Sequence, residues 1–111
     1  MKAPETKKSK SEPNEASLAL GKSLKRHRHE KDKSQEQLGF EAAVDRTYVS
    51  QIERGVGNPS ILTLANLCHA LDITLADLFA TVTVAVEPDE KTRRSNQAKL
   101  KTDAPKKSRL R

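Results

Sequence analysis

The chain has 111 residues, a formal charge of +6 and only two Phe, one Tyr and no Trp, so a single domain with a core of Leu, Ile, Val and Ala is expected. A core of this kind favours a small all-α fold. No apolar run reaches the ~20 residues that span a bilayer, and the N-terminus lacks the apolar segment of a secretory signal, so neither a membrane protein nor a secreted one is expected.

The positive charge is concentrated towards the C-terminus. Between Ser17 and Ala80 there are eight Lys/Arg and eight Asp/Glu, whereas residues 87–111 carry nine Lys/Arg and four Asp/Glu. A basic balance of this kind favours a polyanionic partner. The single cysteine, Cys68, cannot form an intramolecular disulfide, which is typical of the cytoplasm. Because Cys68 lies in an apolar helical stretch, we interpret it as a core residue.

The first segment, residues 1–16, consists mainly of Lys, Glu, Ser and Pro and predicts a disordered N-terminal tail. Ser17 is the expected N-cap of a first helix that ends near Lys31. The buried face of this helix is predicted from three residues at helical spacing, Leu20, Leu24 and His27.

Two short helical patterns follow, separated by a break at Ala43. Ser34 is the N-cap candidate of the second helix, and Gln37 occupies the capping-box position three residues later. Asp45 is the N-cap candidate of the third. The second helix has an apolar stripe of Leu38 and Ala42. The third is expected to direct Tyr48, Val49 and Ile52 inward or sideways and Arg46, Thr47, Ser50 and Gln51 outward.

Gly55 and Gly57 predict the end of the third helix, and Asn58-Pro59 predicts a turn. Ser60 and Thr74 are the expected N-caps of a fourth and a fifth helix. The apolar residues of these helices recur at intervals of three and four, and they are Leu64, Leu67, Cys68 and Leu71, then Leu75, Leu78 and Phe79. The pattern therefore predicts a compact domain of five helices over residues 17–80.

Residues 81–86, T-V-T-V-A-V, alternate at a period of two, which is a strand signal. A single strand after a helical domain has no partner within the chain. It either pairs with its equivalent in a second copy or lies extended on the bundle. Residues 87–111 are polar, basic and proline-containing, which predicts a tail without fixed structure.

Residues 18–80 resemble the Cro, phage-repressor and Xre-type regulators, which have a lambda-repressor-like DNA-binding fold. The resemblance rests on elements that agree in order and spacing: Leu20-Gly21, Arg28, Ser34-Gln35, Leu38, the run R-T-Y-V-S-Q-I-E-R-G, Asn58-Pro59-Ser60 and Asp77-Leu78-Phe79. The segment R-T-Y-V-S is similar to that of restriction–modification controller proteins. The resemblance implies a sequence-specific transcriptional regulator, for example a repressor, that binds double-stranded DNA.

In this family the third helix, here about residues 45–53, enters the major groove. The residues that the resemblance implies as base readers are Arg46, Thr47, Gln51 and, as a lesser candidate, Ser50. Their chemistry suits the role, because Arg pairs with guanine, Gln pairs with adenine and a Thr methyl contacts the thymine methyl. The alternative is that these are ordinary polar residues of an exposed helix.

Phosphate contacts are implied for Gln35, Tyr48, Arg54 and Asn58. A Tyr48 that only packs between helices would show the same pattern. Arg28 and Glu53 match positions at which an ion pair joins the first helix to the third. The sequence departs from the family at Ala43, which replaces a turn glycine, and at His27 and Lys33, which replace apolar residues.

A homodimer is expected, because two reading helices are needed for a pseudopalindromic operator with half-sites one helical turn apart. The dimer surface is predicted from the last helix and the segment after it, and its residues are Leu75, Leu78, Phe79, Val82 and Val84. The alternative is that Leu78 and Phe79 close the core of the monomer.

Neither an enzyme nor a metalloprotein is expected. The sequence shows no nucleophile–base pair and no glycine-rich phosphate loop, and no carboxylate or cysteine cluster completes a metal site around His27 and His29. No cofactor or small-molecule ligand is implied. The alternative function is an antitoxin or protein-interaction adaptor whose residues 81–111 bind a partner protein.

Overall fold

The computed structural model describes residues 13–88, so the predicted tails at 1–16 and 87–111 lie outside it except for their inner ends. Within residues 13–88 the structure is all-α, as predicted, and contains no strand. None of the described helices is long and apolar enough to cross a membrane. The five helices are α1 (Glu15–Glu30), α2 (Gln35–Ala42), α3 (Arg46–Arg54), α4 (Ile61–Leu71) and α5 (Leu75–Phe79).

Three helices begin at the side-chain caps that the sequence predicts. The side chains of Ser34, Ser60 and Thr74 each accept a hydrogen bond from the backbone N–H three residues later. At α5 the capping box is complete, because Asp77 also accepts from the backbone N–H of Thr74. At α2 it is not, since the side-chain amide of Gln37 donates to Glu41 instead.

The other two predicted caps differ from the structure. The prediction of Ser17 was wrong, because α1 begins at Glu15, and the extended residue Asn14 accepts the N–H of Ser17 through its side-chain oxygen at 2.8 Å. The earlier start places an acidic residue, Glu15, in the first turn. There its carboxylate interacts favourably with the positive end of the helix dipole. Asp45 occupies the N-cap position of α3 but makes no side-chain capping bond.

The breaks after α2 and α3 use left-handed backbone. Gly55 ends α3 with φ 85°, a conformation that glycine adopts without strain. Ala43 ends α2 with φ 59° and ψ 41°, so the residue that replaces the family's turn glycine is itself left-handed. A side chain with a Cβ atom in this conformation costs roughly 1–2 kcal/mol.

The core joins all five helices. Its buried apolar residues are Leu20, Leu24, Leu38, Ala42, Val49, Ile52, Leu64, Leu67, Cys68, Leu71 and Leu78. Cys68 is 3% exposed and burial raises the pKa of its thiol, which agrees with a core role. Helix α1 packs on α3 and α5, and α2 packs on α3 and α4.

The crossing of α1 and α3 is very close. A Cβ atom at Gly21 would lie 2.5 Å from the backbone oxygens of both Ile52 and Glu53. Only a residue without a side chain allows the two backbones to approach in this way. Gly21 therefore sets the position of α3 against the rest of the domain.

Two polar contacts join parts of the domain that are far apart in the sequence. The buried Ser23 hydroxyl donates to the backbone oxygen of Leu78 at 2.6 Å and joins α1 to α5. Lys33 donates to the backbone oxygen of Ala70, in the last turn of α4, at 3.1 Å, and it also pairs with Glu41. A polar residue at position 33 is therefore accommodated through its amino group rather than by burial in the core.

The segment predicted as a strand has neither strand nor helix structure in the described residues. Val82 packs against the core, whereas Val84 and Val86 are 41% and 45% exposed. Alternating β-branched residues favour an extended backbone, but a strand requires the hydrogen bonds of a neighbouring strand. Within the described residues the segment therefore meets the bundle through Val82, and pairing with a second copy stays a prediction.

Candidate nucleic-acid interface

Helix α3 has two chemically different faces. Val49 and Ile52 are buried, at 0% and 2% exposure, and fix the inner face in the core. Arg46 and Thr47, in the first turn, are exposed, and Ser50 and Gln51 are half-buried. The four predicted base readers therefore lie on one helix whose packing leaves its N-terminal turn free to meet another molecule.

A buried carboxylate holds α3 against its neighbours. The side chain of Glu53 is 3% exposed and accepts hydrogen bonds from Nε and Nη2 of Arg28 at 2.7 and 2.9 Å. This is the ion pair between the first and third helices that the resemblance implies. Nη1 of Arg28 donates to the backbone oxygen of Lys33 at 2.8 Å, so the guanidinium also fixes the connection between α1 and α2.

The ion pair is charge-assisted and has good bidentate geometry, which makes it stronger than a bond between neutral groups. The hydrogen bond to Glu53 raises the pKa of Arg28, so the guanidinium keeps its charge. A pair of this kind contributes mainly by orienting the elements it joins, since taking both charges out of water costs much of the attraction. Here the oriented element is α3.

Gln35, at the start of α2, meets the same carboxylate. Its side-chain nitrogen Nε2 donates to Oε1 of Glu53 at 3.0 Å. No local pattern predicts this bond, because the two residues are 18 positions apart. An amide nitrogen carries two hydrogens, so the second remains available to a phosphate oxygen beside the N-terminus of α2. The bond therefore directs the nitrogen end of the amide group towards Glu53.

The remaining phosphate candidates, Tyr48, Arg54 and Asn58, lie on α3 and in the loop that follows it. Arg54 and Asn58 are exposed. Tyr48 is half-buried, packs against the core and contacts the loop at Gly57, where an added Cβ would lie 3.4 Å from the Tyr48 ring. Packing between the helix and the loop thus explains the position of the Tyr48 ring.

The predicted dimer surface needs one correction. Leu78 is 0% exposed and closes the core of the monomer, so it is not available to a second copy. Its burial follows from the contact between α5 and α1, to which the Ser23 hydrogen bond adds. Leu75 and Val82 are half-buried against the core, whereas Phe79 and Val84 are 36% and 41% exposed.

Exposed apolar residues occur where the sequence did not predict them. Ile61 is 66% exposed, although it lies three residues before Leu64 on the apolar stripe of α4. The stripe continues past the edge of the core, so its first residue is left uncovered. Ile61, Phe79 and Val82 line a groove of about 240 Å³ between the ends of α1, α4 and α5. Phe40, on α2, is 86% exposed and lies outside this groove.

Among residues 13–88, no group of three or more His, Cys, Asp or Glu side chains is arranged to hold a metal ion. His27 lies 3.7 Å from Glu30 through Nδ1, and its Nε2 is buried without a hydrogen-bond partner in the described part of the chain.

Comparisons with known proteins agree with this geometry. A family model described as helix-turn-helix matches residues 24–78. The chain is 40% identical over 70 residues to the control protein C.MunI of Mycoplasma sp, an alignment that covers 62% of this chain and 95% of that protein. It is 36% identical over 72 residues to the control protein C.BamHI of Bacillus amyloliquefaciens, covering 64% and 89%.

A solved structure gives the same result. The restriction–modification controller protein C.AhdI from Aeromonas hydrophila matches with a TM-score of 0.56 at 40% identity, covering 57% of this chain and 96% of that one. The resemblance inferred from the sequence is thereby confirmed, including its similarity to controller proteins. The chain belongs to the Xre-type helix-turn-helix family of DNA-binding transcriptional regulators.

Proposed function

We propose that this protein is a sequence-specific regulator that binds a pseudopalindromic operator as a homodimer and reads each half-site with α3. Its similarity to three control proteins favours the control of a restriction–modification operon, in the cytoplasm. The observation that carries the proposal is the exposed first turn of α3 on a helix whose other face is fixed by Val49, Ile52 and the buried Glu53.

The exposure of the first turn of α3 supports the predicted base readers. Arg46 and Thr47 are exposed at the N-terminal end of α3, the part of a recognition helix that contacts base edges. Ser50 and Gln51 continue the same side one turn later. A fixed helix is required because a base contact depends on hydrogen-bond geometry, and Glu53 supplies that constraint through Arg28. Phosphate contacts from Gln35, Arg54 and Asn58 would position α3 in the groove.

The dimer surface that the structure supports is the apolar groove lined by Ile61, Phe79 and Val82, together with the exposed Val84 two residues later, and we name it the α4–α5 patch. Residues 55–88 contain no Lys or Arg, so this side of the domain is unsuited to DNA. The segments beyond residues 13–88 are strongly polar in sequence and offer few apolar side chains to cover it. With DNA and the polar segments set aside, we propose that the same patch of a second copy covers the α4–α5 patch.

The decisive experiment is selection of bound sites from random duplex DNA with the full chain. We expect one enriched sequence with twofold symmetry and half-site centres about 10 base pairs apart, because two α3 helices must enter successive major grooves on one side of the duplex. Enrichment of an asymmetric single site would contradict the homodimer. Absence of any enriched sequence, with DNA still bound, would contradict sequence-specific reading.

A further inference from the structure

We propose that the outer face of α1 is a second DNA contact, which binds the phosphate backbone beside the major groove that α3 occupies. The face consists of Lys22, Lys25, Arg26 and His29, and we name it the α1 basic stripe. This inference rests on DNA binding by the protein. It adds a surface that neither the helix-turn-helix motif nor the tail charge provides.

The stripe is continuous because of helical spacing. Its four residues lie at positions i, i+3, i+4 and i+7, which follow one side of a helix. All four are exposed, while Leu20, Ser23 and Leu24 hold the opposite side of α1 in the core. Together with Glu30, the four side chains line an open depression of about 480 Å³.

The cations of the domain are distributed very unevenly. All eight Lys and Arg residues within 13–88 lie before Gly55. Two of them are engaged in contacts that fix the fold, Arg28 with Glu53 and Lys33 with Glu41. Within the described part of the chain, Lys22, Lys25 and the C-cap residue Lys31 of α1 have no ion-pair partner, as is also true of Arg46 and Arg54 on α3. The positive charge left unpaired is thus concentrated on α1 and α3.

Arg26 is the member of the stripe with an ion-pair partner. Its guanidinium lies 3.5 Å from Glu30, and the two side chains are 46% and 56% exposed. An exposed pair of this kind is weak and is screened by salt, so the guanidinium can exchange Glu30 for a phosphate at little cost. Glu30 therefore reduces the charge of the stripe without blocking it.

The position of the stripe follows from the close crossing at Gly21. Because the backbones of α1 and α3 touch there, the two helix axes are separated by no more than the ~8–10 Å usual for packed helices. Lys25 lies one turn beyond Gly21, on the side of α1 that adjoins α3. The major groove is only about 12 Å wide. We infer that α1, packed beside α3, lies over the phosphate strand that borders the groove.

The α1 basic stripe accordingly binds the phosphate backbone of the same duplex. This contact carries no information about the base sequence. Lysine is suited to this role, because its ammonium group is a point charge on a flexible chain and needs no fixed geometry. Each lysine that neutralises a phosphate releases a counterion, so the contact contributes to the salt dependence of binding.

The test uses the full-length variant in which Lys22 and Lys25 are both exchanged for Gln. Binding is measured as a function of salt on two duplexes of equal length, a site selected by the wild-type protein and a scrambled sequence. The plot of log binding constant against log salt concentration should become shallower by about 0.9 for each phosphate that a lysine no longer neutralises, or about 1.8 per protomer. Affinity should fall by the same factor on both duplexes.

The matched control is the variant with Asn66→Asp and His69→Asp, which lowers the net charge equally on exposed positions of α4. Its salt slope should stay near that of the wild-type protein. An unchanged slope for the lysine variant, an equal decrease for the control, or a loss confined to the selected site would each overturn the proposal. If the wild-type protein shows no preferred site, sequence-specific reading fails, while the slopes on the scrambled duplex still decide the role of the stripe.

Discussion

The side-chain nitrogen of Gln35 lies 3.0 Å from Oε1 of Glu53, so the first residue of α2 is joined to the penultimate residue of α3. Arg28 of α1 binds the same carboxylate. Three helices therefore meet at one buried side chain, which fixes both the reading helix and a phosphate-binding candidate. This junction makes Glu53 the most informative position for mutation.

Exchange of Glu53 for Gln should lower the free energy of unfolding by roughly 3 kcal/mol, because the 9%-exposed side chain of Arg28 is left without a carboxylate. Urea denaturation measures the change. The matched control is Glu30→Gln, which breaks the exposed pair with Arg26 and should cost less than about 0.5 kcal/mol. Equal losses for the two variants would show that Glu53 is not a junction.

Exchange of Gly21 for Ala should destabilise the domain by about 1–3 kcal/mol, the usual cost of overpacking. Ala is the better helix former by about 1 kcal/mol. The added Cβ would nevertheless lie 2.5 Å from two backbone oxygens, and neither oxygen can move without displacing α3. The net change in stability is therefore a loss. Lys22→Ala, at the exposed next residue, should leave the urea midpoint almost unchanged. A more stable Gly21→Ala protein would contradict the close crossing of α1 and α3.

Exchange of Ala43 for Gly should stabilise the domain by about 0.5–1 kcal/mol. The left-handed backbone at φ 59° costs roughly 1–2 kcal/mol for Ala, and the greater freedom of Gly in the unfolded chain offsets part of the gain. Thermal denaturation should show a higher midpoint. The neighbouring change Ala42→Gly, at a buried helical position, should lower the thermal midpoint. The expected result is therefore a higher midpoint for Ala43→Gly and a lower one for Ala42→Gly.

Arg46→Ala and Gln51→Ala should each reduce the preference for the selected site over a scrambled duplex by about tenfold or more, with the fold retained. The reason is that a contact to a base edge discriminates between sequences. Arg54→Ala provides the control, because removal of a phosphate-binding side chain weakens binding to both duplexes alike. Unchanged selectivity in both α3 variants would remove Arg46 and Gln51 from the reading surface.

If the α4–α5 patch is the dimer interface that we propose, exchange of the 66%-exposed Ile61 for Asn should raise the dimer dissociation constant by at least about tenfold, because both copies would lose an apolar side chain from that interface. Sedimentation over a range of concentrations measures the shift. The control is Phe40→Asn, which removes an even more exposed apolar residue outside the α4–α5 patch. If Phe40→Asn weakens the dimer and Ile61→Asn does not, the interface lies on α2.

The helices could be predicted from the sequence more fully than their contacts. Ser34, Ser60 and Thr74 were identified as caps because capping depends on residues three positions apart. The predicted N-cap at Ser17 was wrong, because a second capping residue lies three positions earlier. Asn14 caps α1, and its side chain accepts the hydrogen bond from the backbone N–H of Ser17. Period alone identified the buried stripe of α4, Leu64, Leu67, Cys68 and Leu71, each of which is at most 3% exposed.

The sequence by itself determined the family, the five helices and the apolar stripes, because these depend on periodicity, caps and a motif within short stretches of chain. Only the tertiary structure decided the long-range partners of Ser23, Lys33 and Gln35. Ser23 and Leu78 are 55 positions apart, Lys33 and Ala70 are 37 apart, and Gln35 and Glu53 are 18 apart. Local propensity carries no information about such pairs, since they exist only once the packed core has brought the helices together.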